Sequence, residues 1–310
     1  MSVVLPPGHR GFGGWPGADF VAAGRRMPAA DVARARSQWR RFAAAAPRAP
    51  PPALFAGRGV VIVSGGLKYA VPAWVALSAL RRTGCALPAE LWFPSAELPD
   101  AAFADALRHL GAGVRNADDV YPGGSAAAFR VGFALKAVAV LFSRFEEVLF
   151  IDADNVALRD PTDLFDWQPY RDAGMLLWPD FWPRSAAPDA FAIAPEARAA
   201  YDGVAANRSV ESGQLLLHKG TAWGAATMAW FINMQGALYY RLLCSYMGAG
   251  DKETWAFAAA LAGGPPPARV ATPAGSAGVP GEKHPEHLLS NTMVRTACES
   301  ATPINLSFSF

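Results

Sequence analysis

The chain has 310 residues, 52% of them apolar, and a net charge of only +2. That length admits one large domain or two ordinary ones, and that composition supplies a sizeable core without disulfide or metal staples. Nine arginines and two aspartates fall in residues 1–58, but the arginines are scattered and Arg outnumbers Lys 23 to 5 throughout, as a biased coding composition gives, so no nucleic-acid partner is expected.

Cys85, Cys244 and Cys298 are far apart and show neither CxxC nor Cys/His metal spacing, which reads as buried thiols. The most apolar window, Val131 to Ile151, is interrupted by Lys136, Arg144, Glu146 and Glu147, and the N-terminus lacks the pattern of a signal peptide. Neither a signal segment nor a membrane anchor is therefore expected in this chain.

Residues 1–29 are rich in Gly and Pro and predict little regular structure. From Ala30 to Ala45, Val32, Ala35, Trp39 and Phe42 recur at helical spacing, and "PRAPPP" ends that helix. Residues 1–58 are thus read as an N-terminal extension with one helix and a Pro-rich linker, and 59–310 as the main domain. "GVVIVSGG" is a β-branched run closed by glycines, which suits a buried parallel strand and its turn. "VPAWVALSALRRTG" predicts a helix with Pro72 near its start, Trp74, Leu77 and Leu80 on one face and Gly84 as its stop. "AELWF" (strand), "DAAFADALRHLG" (helix) and "GVRNADDVY" (strand) continue the alternation, so the fold class is α/β on a mostly parallel sheet. A helix over Phe129 to Phe142 leads into the strand "EVLFI", and Asp160 caps the short helix in "DPTDLF". "GMLLWPDFW", "SGQLLLHKG", a helical region from Thr221 to Tyr246 and "GDKETWAFAAALAG" follow, while Gly263 to Gly281 reads as a long loop.

The apolar strand "EVLFI" ends in Asp152 and Asp154. Two carboxylates this close repel each other unless a cation, a shared proton or solvation offsets the repulsion. In open α/β sheets ligands bind beyond the carboxyl ends of the strands, where the Ser64-Gly65-Gly66 turn also falls if the two strands are parallel. If the chain stays extended, Asp152 and Asp154 share a side and can hold Mn2+ or Mg2+ through oxygen, with phosphate oxygens and water completing the shell. Such a cation would neutralise the charge that develops on a diphosphate leaving group. Haloacid-dehalogenase-type phosphatases also set Asp-x-Asp after an apolar strand. Their motif opens its domain, however, whereas α/β structure from residue 59 precedes it here, and Asn155-Val156 stands where Gly-Thr is expected.

Taken in order, "GVVIVSGGLKYAVPAWVALSALRRTGCALPAELWF", "FALKAVAVLFSRFEEVLFIDADNVALRDPTDLF", "GMLLWPDFW", "ESGQLLLHK" and "GDKETWAFA" resemble the alpha-mannosyltransferase family typified by fungal Golgi enzymes that extend mannan and N-glycan outer chains. The resemblance covers residues 59–294; a more distant one is to glycogenin-type glycosyltransferases. It implies a GT-A glycosyltransferase fold, a Golgi lumen setting, a Mn2+ or Mg2+ cofactor, GDP-mannose as donor and a mannoside or glycan acceptor. A UDP-sugar donor and an inactive sugar-nucleotide-binding relic remain as alternatives. Carried over by residue, Asp152 and Asp154 become the metal-binding pair, Asn155 lies beside the donor, and Ser64, Gly65 and Gly66 form the nucleotide-binding turn. Lys136 faces the donor phosphate or sugar, or else snorkels to the surface from its apolar helix. Glu211, Ser212, Gly213 and Gln214 match "ESGQ" near the transferred sugar. Asp251 and Lys252 match "GDK" as sugar-binding residues, although Asp251 is also placed to cap a helix. Trp178, Asp180 and Trp182 are candidates for the acceptor site, with core packing as the other reading of the tryptophans. Related enzymes begin with a membrane anchor and end with a late metal-binding His. Neither is seen here, and His284 and His287 are the nearest substitutes.

Overall fold

The computed structural model describes residues 27–121, 132–180, 186–187, 189–205, 208–243 and 250–272 in full, together with the backbone of strands 3–5, 275–280, 288–296 and 303–308. In chain order the regular elements are β1 (Val3–Leu5), α1 (Ala29–Ala45), β2 (Arg58–Val63), α2 (Gly66–Arg82), β3 (Ala89–Phe93), α3 (Ala101–His109), β4 (Ala112–Asn116), α4 (Ala134–Phe142), β5 (Glu147–Ile151) and β6 (Asn155–Ala157). They continue as α5 (Gln168–Ala173), β7 (Met175–Pro179), α6 (Ala190–Ile193), α7 (Arg198–Ala205), β8 (Val210–His218), α8 (Lys219–Met234), α9 (Gly236–Leu243) and α10 (Lys252–Ala262). Strands β9 (Ala268–Arg269), β10 (Gly275–Pro280), β11 (Leu288–Thr296) and β12 (Pro303–Phe308) close the order.

A seven-stranded sheet runs β4-β3-β2-β5-β8-β7-β9. Strands β4, β3, β2 and β5 are parallel, β8 is antiparallel to both of its neighbours, and β9 is parallel to β7. This is the expected α/β arrangement on a mostly parallel sheet. Side chains alternate between the faces. Val61, Val148, Phe150, Leu215 and Leu217 enter a core with α4, α8 and α10. Val60, Ile62, Leu149, Ile151 and Leu216 enter a second core with α2 and α3. Both faces are covered, so the strands read as unbroken apolar runs rather than alternating ones.

Helix α1 is built into the first of these cores. Ala35 and Trp39 are buried there, Tyr239 donates to the Ala35 carbonyl at 3.0 Å, and Trp39 Nε1 donates to the Ile193 carbonyl at 3.2 Å. The segment read as an extension thus supplies core to the main domain. A second, antiparallel sheet runs β1-β10-β11-β12-β6 and sets Ser307 of β12 opposite Asn155.

Several local expectations are corrected. Helix α2 starts at Gly66, six residues before Pro72, which lies inside it. Trp74 is 41% exposed, and the buried face consists of Ala73, Ala76, Leu77 and Leu80. Residues 263–281 are not one long loop, because β9 and β10 form there by pairing with β7 and with β1 and β11. The helix expected from Phe129 is described from Ala134 onward. The short 3-10 helix Thr162–Asp166 has Pro161, not Asp160, at its N-cap; Asp160 stands one residue further out, where its carboxylate accepts from the Thr162 N–H at 2.9 Å. Cys85 is a buried free thiol, as expected, whereas Cys244 and Cys298 lie outside the described residues.

Gly59 tests the packing of β2 against the β5 side. A Cβ there would come within 2.3 Å of the Phe145 ring, whereas a Cβ at Gly113 in β4 meets nothing within 4 Å. Gly59→Ala is expected to lower unfolding stability by about 1–3 kcal/mol, and Gly113→Ala to leave it unchanged or raise it. Urea denaturation of the two variants beside the parent measures the difference.

Candidate active site

The carboxyl ends of β2 and β5, the first residues of β8 and the N-termini of α4 and α10 gather at one edge of the seven-stranded sheet. Because β8 runs antiparallel, Gln214 at its midpoint pairs with Ile151 at the end of β5, and the first half of β8 runs on past it. That register sets "ESGQ" beside the Asp152 turn.

Lys136 joins these elements. It is 5% exposed on an otherwise apolar helix. Its Nζ lies 3.1 Å from Asp152 Oδ1 and 3.2 Å from Asp251 Oδ2. It also donates to the Ser212 carbonyl at 2.9 Å and to Ser212 Oγ at 3.1 Å, and it sits 5.0 Å above the Phe150 ring. Burial pulls the ammonium pKa down, but Asp152, Asp251 and Glu211 outweigh that, and Lys136 stays charged. The snorkelling alternative is ruled out, since this side chain turns inward to two carboxylates.

Asp251 does not cap α10 with its side chain. One carboxylate oxygen accepts from Ser212 Oγ at 3.2 Å and the other from Trp255 Nε1 at 3.2 Å. Trp255, one helical turn beyond Asp251, is a site residue that motif reading overlooked. The (i, i+4) spacing is the signal that could have found it.

The Asp152–Asn155 segment turns rather than staying extended: the Asn155 N–H donates to the Asp152 carbonyl at 3.0 Å. The Gly213 carbonyl fixes this turn by accepting from Asp152 N–H at 2.8 Å and Asn155 Nδ2 at 2.5 Å. Asp152 and Asp154 remain partly exposed while Ala153 and Asn155 are buried. Burial pushes the Asp152 carboxyl up, Lys136 opposes it, Asp251 and Asp154 push the same way as burial, and the balance lies at about 7. The side chain keeps 34% of its surface, and solvent softens each of these effects.

Among the buried polar atoms here that lack a protein partner are Ser64 Oγ, just past the end of β2, and Asn155 Oδ1. Unsatisfied buried groups are uncommon in folded proteins and mark places where a ligand or water completes the bonding. Gly66 adopts φ +53°, in the left-handed region that favours glycine, and a Cβ on Gly65 would meet Glu97 Oε2 at 2.2 Å. Glu211 turns its carboxylate onto the N–H groups of Ser212 and Gly213, at 3.0 and 2.8 Å. Gln214 is buried in the same strand. Lys252 Nζ donates to Asp180 Oδ2 at 2.7 Å. Trp178 is 1% exposed within the core and offers no face for stacking, which corrects its placement in an acceptor site. Trp182, His284 and His287 lie outside the described residues.

Around one ammonium stand the carboxylates of Asp152, Asp251 and Glu211, with Asp154 beside Asp152. This excess of negative charge and the hard oxygen donors of Asp152 and Asp154 fit a divalent cation such as Mn2+ or Mg2+. Among the described residues no group of three His, Cys, Asp or Glu side chains is placed to hold a metal, so Asp152 and Asp154 are the described donors for such a cation.

Residues 57–202 and 197–301 match the mannosyltransferase family model Mannosyl_trans3. The chain belongs to this mannosyltransferase family. All the site residues named above fall within the matched segments. The chain is 29% identical over 244 residues to the alpha-1,2-mannosyltransferase MNN2 of Saccharomyces cerevisiae, covering 67% of this chain and 41% of that protein. It is 32% identical over 233 residues to the alpha-1,2-mannosyltransferase MNN24 of Candida albicans, covering 66% of this chain and 33% of the relative. The chain thus spans well under half the length of these relatives. Among solved structures, the mannosyltransferase Ktr4p from S. cerevisiae shares 9% identity and a TM-score of 0.43, covering 78% of this chain and 79% of that one.

The raised Asp152 pKa gives a signed pH dependence. The folded protein holds this proton more tightly than the unfolded chain, whose Asp titrates near about 4. The stabilisation is therefore complete below that pH and is lost as pH rises through about 7. In chelator-treated protein, the urea midpoint of the parent is expected to fall between pH 5 and pH 8 more steeply than that of Asp152→Asn. Equal slopes in the two proteins would contradict this account.

Proposed function

We propose that the protein is a metal-dependent retaining alpha-mannosyltransferase that moves mannose from GDP-mannose to a mannoside or other glycan acceptor. The observation that carries the reading is the Asp152–Asp154 turn at the carboxyl end of β5, tied to Lys136 and Asp251 within the family-matched region. The relatives' names support mannose as the transferred sugar. The Golgi lumen setting belongs to the same proposal; among the described residues no helix is long and apolar enough to cross a membrane.

In this reading Asp152 and Asp154 hold Mn2+ or Mg2+, which when bound supplies charge neutralisation at the diphosphate. Ser64 Oγ and the Gly65-Gly66 backbone receive the nucleotide, and Asn155 Oδ1 accepts a hydrogen bond from the donor. Lys136 keeps its charge and orients Asp152 and Asp251. Ser212, Gly213, Gln214, Asp251 and Lys252 surround the transferred sugar, and Asp180, buried against Lys252, supports the acceptor side through that lysine.

Retention follows from front-face attack. The bond from the anomeric carbon to the phosphate oxygen breaks, an acceptor hydroxyl oxygen bonds to that carbon on the same face, and its proton passes to the leaving diphosphate. The geometry favours this over a covalent carboxylate intermediate. Asp251 accepts from Lys136, Ser212 and Trp255, and Glu211 accepts from its own neighbouring backbone, so the oxygens a nucleophile would use are already engaged by protein donors.

Calorimetric titration of the purified chain with GDP-mannose and with UDP-glucose, each with and without Mn2+, tests the proposal. Mn2+-dependent binding of GDP-mannose, lost in Asp154→Ala, is the expected result. Preference for UDP-glucose would reassign the donor, and no binding of either donor by folded protein would overturn the reading.

A further inference from the structure

Glu253 follows Lys252 in α10 and is fully buried, yet the proposed chemistry leaves it without a part. A buried carboxylate is costly unless its oxygens are bonded and its charge is matched. Both oxygens are engaged: the Tyr201 hydroxyl of α7 donates to Oε2 and the Ser209 hydroxyl donates to Oε1.

Those partners lead back to the site. The Ser209 carbonyl accepts from the Asp180 N–H at 2.9 Å. The Asp180 carboxylate accepts from Lys252 Nζ at 2.7 Å. Lys252 and Glu253 are then joined by a peptide bond, so Glu253, Ser209, Asp180 and Lys252 form a closed ring. Asp180 is 2% exposed, and Ser209 is fully buried. The ring spans the end of β7, the approach to β8 and the first turn of α10. No one of these three segments can shift without breaking a buried polar contact.

We propose that Glu253 is a positioning residue: through Ser209 it clamps the first turn of α10 to the Asp180 segment and so holds the Lys252 ammonium on Asp180. The charge of Glu253 acts in the same direction. Burial draws the Lys252 pKa down, and Asp180 and then Glu253 raise it, with a net upward result. The catalytic consequence of this clamp rests on the mannosyl-transfer reading, whereas its effect on Lys252 does not.

The test uses two variants that open the ring at different points. Glu253→Gln keeps the shape and removes the charge, and Ser209→Ala removes one hydroxyl and keeps the charge. Amine acetylation of Lys252 is followed by mass spectrometry relative to the exposed Lys68, with circular dichroism confirming the fold. In both variants the Lys252 rate is expected to rise at least ~3-fold over the parent. With GDP-mannose, Mn2+ and a mannoside, kcat is expected to fall ~10-fold with donor KM changed less than ~3-fold, and this loss should vanish in a Lys252→Met background. Unchanged Lys252 labelling in both variants overturns the proposal, as does failure of both to fold, which would assign Glu253 to stability alone. Faster labelling in a protein whose parent transfers no mannose would uphold the clamp and sink the transferase reading instead.

Discussion

One buried ammonium organises the site. Lys136 draws together a turn after β5, a strand that enters from the opposite direction and the first turn of a helix 115 residues further along the chain. Burying that charge alone would be prohibitive, and burying Asp251 alone would be equally so. Together, with the Ser212 oxygens and the Phe150 face completing the cage, they are tolerated. The remaining negative charge faces outward through Asp152 and Asp154, where a cation can meet it.

Rigidity around this cage comes from backbone rather than from more charge. The Gly213 carbonyl accepts from both the Asp152 N–H and the Asn155 amide, which fastens the turn to β8. The two apolar cores hold β5 and β8 in register from either face of the sheet. A second ring of contacts, through Glu253, Ser209, Asp180 and Lys252, braces the far side of the same edge. The donor side and the acceptor side of the proposed reaction are thus held by separate polar networks that meet at consecutive residues, Asp251 and Lys252.

Much of the fold was legible because the central strands are buried on both faces and so declare themselves as continuous apolar runs. Helices were legible where apolar residues recur at helical spacing, as in Ala101–His109; the structure adds that the Asp100 side chain caps this helix by accepting from the Phe103 N–H. Reading failed where a distant partner decided. Gly275–Pro280 looks like a loop by composition and becomes a strand because β1 and β11 lie on either side of it. Trp74 fits a helical apolar pattern, yet among the described residues no element covers its face of α2 enough to bury it, and it stays 41% exposed.

By itself the sequence determined that an apolar strand ends in two carboxylates, that a lone lysine interrupts an apolar helix, and that an α/β alternation carries both. Those are properties of residue order, set by local periodicity and by the cost of placing charge beside apolar runs. Only the tertiary structure decided that Lys136 turns inward to Asp251 and that Glu253 reaches Ser209. Each of these outcomes depends on the antiparallel insertion of β8 between β5 and β7, a choice of strand order and direction made by the packing of both cores rather than by any single segment.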